Sequence, residues 1–193
     1  MTTVAVAPGA TVSIQGEPGS FSESAARRLV DSPSLASFGS FDEAAGAVAS
    51  GAVRYGVLPV VNSLAGEVLA LPEILDRHGL ATVAEVSLTI RQCLIAPAPA
   101  ELGQIVEVRS HPIALRQCRR FFAAHPWMNP KRAADTAGAV KEICASRPRG
   151  VAAIAGAAAA ERYGGVILAE GIADSPNNVT TFVLLERART SDR

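Results

Sequence analysis

The chain has 193 residues, of which 49% are apolar, and its 18 acidic residues balance 18 basic ones. This length predicts one compact domain or two small lobes with a sizeable core. The balanced charge excludes a strong basic field, so we expect no nucleic-acid partner and no membrane partner. Residues 1–10 lack the pattern of a signal peptide and no apolar run could span a bilayer, which predicts a cytoplasmic protein.

The three cysteines also bear on the class of protein. Cys93, Cys118 and Cys144 are widely spaced, and the sequence contains no CxxC pair and no Cys/His cluster. A metal site is therefore not expected. Unpaired cysteines in an odd number are typical of reduced, half-buried thiols in a cytoplasmic protein.

The first part of the chain alternates strands and helices. The predicted strands cover residues 12–15, 36–38 and 55–59, and the predicted helices begin near residue 20, run from 40 to 50, and end at 77. Ser20 with Glu23 and Ser40 with Glu43 have the spacing of a capping box, which marks a helix start. Residues 60–66 are predicted to be a loop after the third strand.

The same alternation returns later in the chain. The predicted strands cover 105–108, 132–134, 151–154, 166–169 and 180–186, and the predicted helices cover 111–122, 135–145 and 157–163. Between the two halves, residues 81–96 form a long apolar stretch that we interpret as two extended segments linking two lobes. Strand–helix alternation predicts largely parallel sheets covered by helices.

This pattern predicts an α/β protein of two Rossmann-like lobes with a cleft between them. We expect residues 1–84 with 171–193 to form lobe 1 and residues 85–170 to form lobe 2. The final strand would return to the first lobe. A cleft between lobes is the usual place for a small ligand.

Polar groups lie where predicted strands meet loops. Asn62 and Ser63 follow the third strand, at the end of a sheet where α/β proteins bind ligands. The loop Gly16–Ser20 opens a helix, and either an anion site of backbone N–H groups or a plain turn fits it. The stretch Asn177–Phe182 is a polar loop running into a strand; its Asn side chains either serve a site or cap backbone groups.

Five stretches resemble, in chain order, the motifs of prephenate dehydratases. Residues 16–22 resemble the motif G-P-x-G-T-F-S, and residues 58–63 resemble V-P-I-E-N-S. Residues 108–118 resemble V-x-S-H-P-Q-A-L-x-Q-C, and residues 152–155 with 163–164 fit a later segment of the family. Residues 177–182 resemble N-N-x-T-R-F, the catalytic signature of the family. Each motif alone is weak, but their order covers nearly the whole chain. The resemblance implies two lobes like a type II periplasmic binding protein. No counterpart of the family's regulatory ACT domain follows, so we expect no phenylalanine feedback through one.

The resemblance also implies a reaction. Prephenate dehydratases are carbon–oxygen lyases that remove carbon dioxide and hydroxide from prephenate to give phenylpyruvate, without a cofactor. Such an enzyme binds a small carboxylate substrate and must donate a proton to the departing hydroxyl. Carried over by motif, Thr180 is the catalytic donor. The substrate-binding residues implied on the same basis are Ser20, Asn62, Ser63, Ser110 and Asn178.

Four positions depart from the family motifs. Val61 replaces a Glu, Gln92 stands where a His is common, Ile113 replaces a Gln, and Thr181 replaces the Arg of the signature. Losing that Arg removes a bidentate carboxylate ligand. Thr181 is retained as a candidate substrate contact. Arg91 and Arg109 either supply the positive charge that the signature Arg would have provided or are solvated surface residues. His111 either caps a helix or takes part in catalysis.

Three functions follow from these matches and departures. The first is a prephenate dehydratase, and the second is a diverged relative in a specialised-metabolite pathway that acts on another cyclic or aryl carboxylate or only decarboxylates prephenate. The third is a non-catalytic module that binds small carboxylates. The apolar, Ala- and Val-rich helices also predict a homodimer.

Overall fold

The computed structural model describes residues 8–188. Within them the chain forms two compact units: the first contains residues 8–16, Phe21–Leu88 and 179–188, and the second contains Glu17–Ser20 and Thr89–Asn178. The two-unit α/β architecture expected from the sequence is confirmed. The expected lobe bounds differ from these units at residues 17–20, 85–88 and 171–178. Residues 85–88 remain in the first unit because an unbroken strand crosses residue 84. The expected lobe ends at 1–7 and 189–193 lie outside the described residues.

The elements follow one another in a strand–helix alternation. In chain order they are β1 (Thr11–Gln15), α1 (Phe21–Leu29), β2 (Ser34–Phe38), α2 (Phe41–Ala49), β3 (Tyr55–Asn62), β4 (Gly66–Glu67), α3 (Leu71–His78), β5 (Leu80–Thr89), β6 (Cys93–Ala96), β7 (Glu107–Ser110), α4 (Pro112–Arg116), α5 (Arg119–Ala124), β8 (Asn129–Arg132), α6 (Thr136–Ser146), β9 (Val151–Ala155), α7 (Ala157–Tyr163), β10 (Val166–Glu170) and β11 (Val179–Arg187). A 3₁₀ turn, Leu102–Gln104, precedes β7.

The sheet of the first unit has the strand order β2-β1-β3-β11-β5, with β4 paired to β3. Strand β1 is parallel to β2 and β3, whereas β11 is antiparallel to β3. The expectation of a largely parallel sheet is therefore wrong here. A parallel β11 would need a connection back to the amino edge of the sheet, but β11 enters directly after residue 178, at the edge where β3 ends.

Helix α2 shows how the sequence sets local structure in this unit. Its predicted capping box is confirmed: Glu43 N donates to Ser40 Oγ and Ser40 N donates to Glu43 Oε2, both at 3.1 Å. Below the helix, Ser13 Oγ donates to the carbonyl of Ala44 at 2.8 Å. A Cβ on Gly56 would lie 2.9 Å from Val48 Cγ2 of α2 and 2.9 Å from Ser13 Oγ of β1, so only glycine permits this close approach of β3 to α2.

Strand β3 is longer than the sequence suggested. It was expected to end at Pro59, but it continues to Asn62 and then turns into β4. Pro59 has no N–H to give to a ladder, and the β3–β11 register shifts beside it, between Thr181 and Phe182. The bulge accommodates the proline and lets pairing resume for the last residues of the strand.

The sheet of the second unit has the order β10-β6-β9-β7-β8. Strands β8 and β9 are parallel to β7, whereas β6 is antiparallel to both of its neighbours, β9 and β10, so this sheet is also mixed. Every residue of β9 is buried. Its odd-numbered residues pack in a cluster with α6 and α7, and its even-numbered residues pack with α4 and the Met128 region. Both faces of this sheet are therefore covered.

The helix expected over residues 111–122 is in fact two short helices, α4 and α5. The carboxylate of Asp174 accepts the backbone N–H of Arg119 at 3.2 Å and of Arg120 at 2.8 Å. These contacts satisfy the first donors of α5 and let the chain break at Gln117–Cys118. The strands expected at 105–108 and 132–134 are also displaced, to 107–110 and 129–132.

The cysteines carry free thiols, as expected. Burial raises the pKa of all three thiols, and that of Cys118 to about 12. A thiolate is the form that ligates metals, and among residues 8–188 no three His, Cys, Asp or Glu side chains converge. In the same part of the chain, no helix combines the length and the apolar character needed to cross a bilayer.

Candidate active site

In the first unit, two sequence motifs meet at the carboxyl edge of the sheet. Asn62 is the last residue of β3, and it lies opposite Thr180, the second residue of β11. The two residues are 118 positions apart in sequence, and their side chains are joined by a 2.8 Å hydrogen bond. The carboxyl ends of parallel strands are where open α/β sheets bind ligands.

The carboxamide of Asn62 is fixed by four contacts. Its Oδ1 accepts the backbone N–H of Leu64 at 3.0 Å and of Ala65 at 2.9 Å. Its Nδ2 donates to the Val179 carbonyl at 3.2 Å and to Thr180 Oγ1 at 2.8 Å. Because two N–H donors face one atom of the amide, that atom must be the oxygen, and the orientation of the amide is determined.

This orientation decides the role of the Thr180 hydroxyl. An amide N–H can only donate, so Thr180 Oγ1 is the acceptor in this bond. The hydroxyl hydrogen of Thr180 is therefore left for another acceptor. Thr180 is 7% exposed, so its hydroxyl lies in a largely desolvated place, where a hydrogen bond to developing charge is strong.

Ser63 extends the ladder between the same strands. Its N–H donates to the Val179 carbonyl at 2.8 Å, and its Oγ accepts the Val179 N–H at 2.9 Å. Ser63 thus holds the start of β11 against the end of β3. In this arrangement the side chain stabilises the edge on which Thr180 is presented.

Thr181 lies on the other side of the sheet from Thr180. Successive side chains of a strand point to opposite faces, and Thr181 Oγ1 lies 2.9 Å from Ser87 Oγ on β5. On β3 its directly opposed residue is Val61, which is 45% exposed and is also opposed to Glu67 of β4. Two of the four departures from the family motifs are therefore paired neighbours, on the face away from the Asn62–Thr180 bond.

The second unit has a carboxyl edge of its own. Ser110 is the last residue of β7 and is fully buried, with its Oγ donating to the Ile154 carbonyl at 2.6 Å. Because β6 is antiparallel to β9 and Cys93 is paired with Ala155, the residue before β6, Gln92, lies at this same edge. Ser110 and Gln92 thus belong to the ligand-binding edge of this sheet, where Ser110 also ties β7 to β9.

Asn178 is fully buried in the second unit, next to a residue that the sequence reasoning missed. Its Nδ2 donates to Gln117 Oε1 at 2.9 Å, and its carbonyl accepts the Ile90 N–H at 2.7 Å. Gln117 is the Gln of the Gln-Cys pair that closes the third motif, so the motif itself carried the signal. The structure connects this third motif to the Asn-Asn signature.

The glycine-containing loop at Ser20 is held by α6 and α7. Lys141 Nζ contacts Glu17 Oε2 at 2.9 Å, and the Tyr163 hydroxyl donates to the Pro18 carbonyl at 2.7 Å. Gly19 has φ +86°, a conformation that favours glycine, and a Cβ on it would lie 3.0 Å from the Ala159 backbone. Both the backbone conformation and the lack of space therefore require glycine here. Ser20 closes the turn by donating its N–H to the Glu17 carbonyl at 3.2 Å and is half-buried.

The two candidate arginines differ in their environment. Arg109 contacts Glu107 Oε1 at 2.7 Å and Glu142 Oε1 at 2.6 Å, and these hydrogen bonds raise the pKa of its guanidinium. Its charge is therefore already balanced by two carboxylates. Arg91 precedes Gln92 at the edge of the second sheet, is exposed, and forms no ion pair with any residue between 8 and 188.

His111 caps a helix. Its Nδ1 accepts the Ile113 N–H at 3.2 Å at the start of α4. Desolvation lowers the pKa of its imidazole, Arg116 lowers it further, and Asp135 opposes both. A neutral ring is also what the cap requires, because a protonated Nδ1 cannot accept a hydrogen bond.

Comparison with known proteins defines the class to which this fold and these motifs belong. The family model of prephenate dehydratase matches residues 12–190. The chain belongs to the prephenate dehydratase family. Arogenate dehydratase 1 of Petunia hybrida is 42% identical over 178 residues, which are 91% of this chain and 42% of that protein. Arogenate dehydratase/prephenate dehydratase 6 of Arabidopsis thaliana, described as chloroplastic, is 40% identical and is covered to 43%.

Solved structures agree with the family assignment. A prephenate dehydratase from Arthrobacter aurescens in complex with L-Phe superposes with a TM-score of 0.83 at 27% identity, over 95% of this chain and 62% of that one. GqqA, described as a novel type of quorum quenching acylase, superposes with a TM-score of 0.84 at 28% identity, over 94% of this chain and 65% of that one. The chain spans about two fifths of the length of the curated relatives that it matches.

Proposed function

We propose that this chain catalyses the decarboxylative dehydration of a prephenate-type cyclohexadiene, as a carbon–oxygen lyase of phenylalanine biosynthesis. The observation that carries the proposal is the 2.8 Å hydrogen bond from Asn62 Nδ2 to Thr180 Oγ1. It leaves the Thr180 hydroxyl as a donor in a largely buried place, which is the role that the reaction needs.

In this reaction two bonds break and the ring becomes aromatic. The bond between the ring and its carboxylate breaks, and its electron pair enters the ring as carbon dioxide leaves. The carbon–oxygen bond on the far side of the ring breaks, and its electron pair departs with the hydroxyl oxygen, which gains a proton and leaves as water. Thr180 donates a hydrogen bond to that oxygen and passes it a proton drawn from solvent.

Asn62 makes Thr180 a better donor. A hydroxyl that accepts a hydrogen bond is polarised and donates more strongly, because adjacent hydrogen bonds reinforce one another. The substrate must also hold its side-chain carboxylate against a cation or N–H donors. Arg91 suits this task better than Arg109, because Arg109 already contacts two glutamates.

Ser20, Ser63, Ser110 and Asn178 are proposed to shape the site rather than to act on the reacting bonds. Three of them have a hydrogen bond to a more distant part of the chain: Ser63 to β11, Ser110 to β9 and Asn178 to Gln117. Ser20 instead closes its own turn by donating its N–H to the Glu17 carbonyl. Thr181 is assigned no contact with the reacting groups, since it shares a face with Ser87 and Val61.

Arogenate is the second candidate substrate. It is the amino-acid counterpart of prephenate, with an ammonium group in place of the keto oxygen, and the relatives from Petunia hybrida and Arabidopsis thaliana are named for dehydration of arogenate or of both compounds. The same bonds break in both substrates. The products differ, because prephenate gives phenylpyruvate and arogenate gives phenylalanine.

The test is turnover of each compound by purified protein and by two adjacent variants. We expect Thr180→Ala to lower kcat by about 100-fold or more, the usual effect of removing a donor to developing negative charge. Thr181→Ala is the matched control and should retain kcat within about threefold, since it faces the other side of the sheet. Phenylpyruvate is followed by absorbance and phenylalanine by chromatography, with a blank lacking enzyme.

Failure of this test would point elsewhere. Absence of turnover of both compounds at high enzyme concentration would contradict the proposal and favour a module that only binds small carboxylates. Turnover that Thr180→Ala leaves unchanged would contradict the role of the hydroxyl. Activity on a different cyclic or aryl carboxylate would instead favour a diverged enzyme of specialised metabolism, which the change at Gln92, at the ligand-binding edge of its sheet, supports.

We further propose a cytoplasmic homodimer. Support for self-association comes from large apolar side chains on the surface, Val106 at 55% and Trp127 at 48% exposure in the second unit. Three free thiols are in keeping with a reducing compartment. Light scattering coupled to gel filtration should give twice the monomer mass of 19.9 kDa; a monomer mass across the micromolar range would contradict the dimer.

A further inference from the structure

Gln92 carries a buried side chain whose carbonyl oxygen has no hydrogen-bond partner among residues 8–188. The residue is only 3% exposed. Most buried polar atoms in folded proteins are paired, because an unpaired one loses its hydration without compensation.

Gln92 lies at the edge of its sheet where α/β proteins bind ligands. It immediately precedes β6, whose first residue Cys93 is paired with Ala155, the last residue of β9. Gln92 therefore lies at the carboxyl edge of the parallel strands β7, β8 and β9. Its backbone is anchored there, because the Ile172 N–H donates to the Gln92 carbonyl at 3.1 Å. An unpaired buried acceptor and a ligand-binding edge are independent observations that coincide at one residue.

We infer that Gln92 is a specificity-determining residue, which accepts a hydrogen bond from the substrate nitrogen and so favours the amino-acid form, arogenate, over prephenate. This inference rests on the proposed function. An unpaired acceptor at this edge is suited to a hydrogen-bond donor of the ligand. At neutral pH prephenate presents two carboxylates and a keto oxygen, all acceptors, and a single donor, its ring hydroxyl.

The ring hydroxyl is the wrong partner for such an acceptor. Accepting its hydrogen would raise the electron density on the oxygen that must leave, and would therefore oppose the reaction. The ammonium group of arogenate supplies donors that the reaction does not consume. A keto oxygen in the same place would face the Gln92 carbonyl, leaving both acceptors unpaired, a situation that sites built for a donor reject strongly.

The experiment compares kcat/KM for arogenate and prephenate in the natural protein, Gln92→Met and Gln92→Glu. Methionine keeps the length of the side chain and removes the amide. We expect Gln92→Met to lower kcat/KM for arogenate about 10- to 100-fold and to leave the value for prephenate within about threefold. Gln92→Glu should keep arogenate turnover within about tenfold and lower prephenate turnover more. Gln104→Met, a change at an exposed Gln of the same unit, is the control.

Stability gives a second measurement that does not depend on turnover. Because Gln92→Met removes an unpaired buried polar group, we expect the Tm of the free protein to rise by about 2–4 °C. A large fall in Tm would show that the amide is already satisfied in the free protein, for example by ordered water, and would overturn the inference.

The remaining outcomes are equally decisive. Equal losses for both substrates, or no change for either, would overturn a role in choosing between them while leaving the proposed function intact. If the natural protein turns over neither substrate, the proposed function fails, and calorimetry with L-phenylalanine and phenylpyruvate decides the role of Gln92. If Gln92→Met loses binding of L-phenylalanine but keeps binding of phenylpyruvate, the role of Gln92 is supported. Equal L-phenylalanine binding by the natural protein and Gln92→Met, or no binding by either protein, would overturn that role.

Discussion

At the scale of single residues, the most informative contact is the one that makes Asn62 a donor to Thr180. The amide of Asn62 is oriented by two backbone N–H groups, those of Leu64 and Ala65, and this orientation in turn directs the Thr180 hydroxyl. Asn62 is therefore a positioning residue as well as a turn residue. Its two functions can be separated, because only one of them needs an N–H donor.

Asn62→Asp separates them. A carboxylate still accepts the N–H groups of Leu64 and Ala65, but it must accept from Thr180 rather than donate, which turns the hydroxyl hydrogen away from the substrate. We expect kcat to fall about as far as in Thr180→Ala, on the order of 100-fold. We also expect a lower Tm, because the new carboxylate faces the Val179 carbonyl to which Asn62 Nδ2 donates. Kinetics and thermal unfolding measure the two effects.

The pH profile of the same variant provides a check. A protonated carboxyl group can donate again, so part of the activity of Asn62→Asp should return at low pH, whereas that of Thr180→Ala should not. A variant that keeps full kcat at neutral pH would contradict the direction assigned to the hydrogen bond.

The paired positions 61 and 181 change how the departures from the family motifs are understood. The motifs have Glu at the first and Arg at the second, and the register places Val61 and Thr181 directly opposite each other. An opposite-charge pair at these positions would stabilise the sheet as a cross-strand pair. Its replacement by Val and Thr leaves the net charge unchanged, so the two differences are best understood as one.

Thr181→Arg alone is therefore expected to leave kcat/KM within about threefold and to give no gain in substrate binding. Combined with Val61→Glu, it should show a coupling of about 0.2–1 kcal/mol in the free energy of unfolding. Urea unfolding of the two single variants and the double variant measures this coupling. A tenfold rise in kcat/KM from Thr181→Arg alone would contradict the placement of residue 181 away from the site.

At the scale of elements, helix starts show which local signals the sequence carries. The capping box at Ser40 was recognisable because both partners lie within four residues of each other. The Asp135 cap, whose Oδ1 accepts the Gly138 N–H at 2.6 Å, was recognisable in the same way. The break between α4 and α5 was not, because it depends on Asp174, a residue 54 positions away from Arg120.

The cap of α4 predicts a pH dependence of stability. The pKa of His111 is lowered in the folded protein, mainly by burial, below its ordinary value of 6.5. The unfolded chain therefore binds a proton more readily, and the contribution of neutral His111 is fully present above pH 6.5 and is lost as the pH falls below it. His111→Asn keeps a capping side chain that does not titrate.

We expect the free energy of unfolding of the natural protein to fall relative to that of His111→Asn between pH 7 and pH 5. Urea unfolding at several pH values measures this difference. His111→Ala, which lacks a cap at every pH, should be less stable than His111→Asn throughout. A difference between the natural protein and His111→Asn that does not vary with pH would contradict the neutral, capping state of His111.

At the scale of the whole molecule, each unit contains three neighbouring parallel strands, β2-β1-β3 or β9-β7-β8, followed at one side by an antiparallel strand, β11 or β6. The added strands β11 and β6 bring Thr180 and Gln92 to the carboxyl edges of their sheets. In each unit one candidate residue thus lies at the start of a strand that runs antiparallel to the neighbouring parallel strand. The antiparallel direction is what places the start of one strand beside the end of another.

The sequence by itself determined the α/β class, the presence of two units, most helices and strands, and the family, because these depend on local periodicity, on caps within a few residues and on ordered motifs. It also singled out Thr180 and Asn62. Only the tertiary structure decided the strand directions and the hydrogen bond between Asn62 and Thr180. It also showed that Thr181 faces away from Thr180, that Arg109 is paired with two glutamates, and that the side-chain oxygen of Gln92 is unpaired. Each of these depends on residues brought together from distant parts of the chain, and strand register and burial are settled only when the sheet assembles.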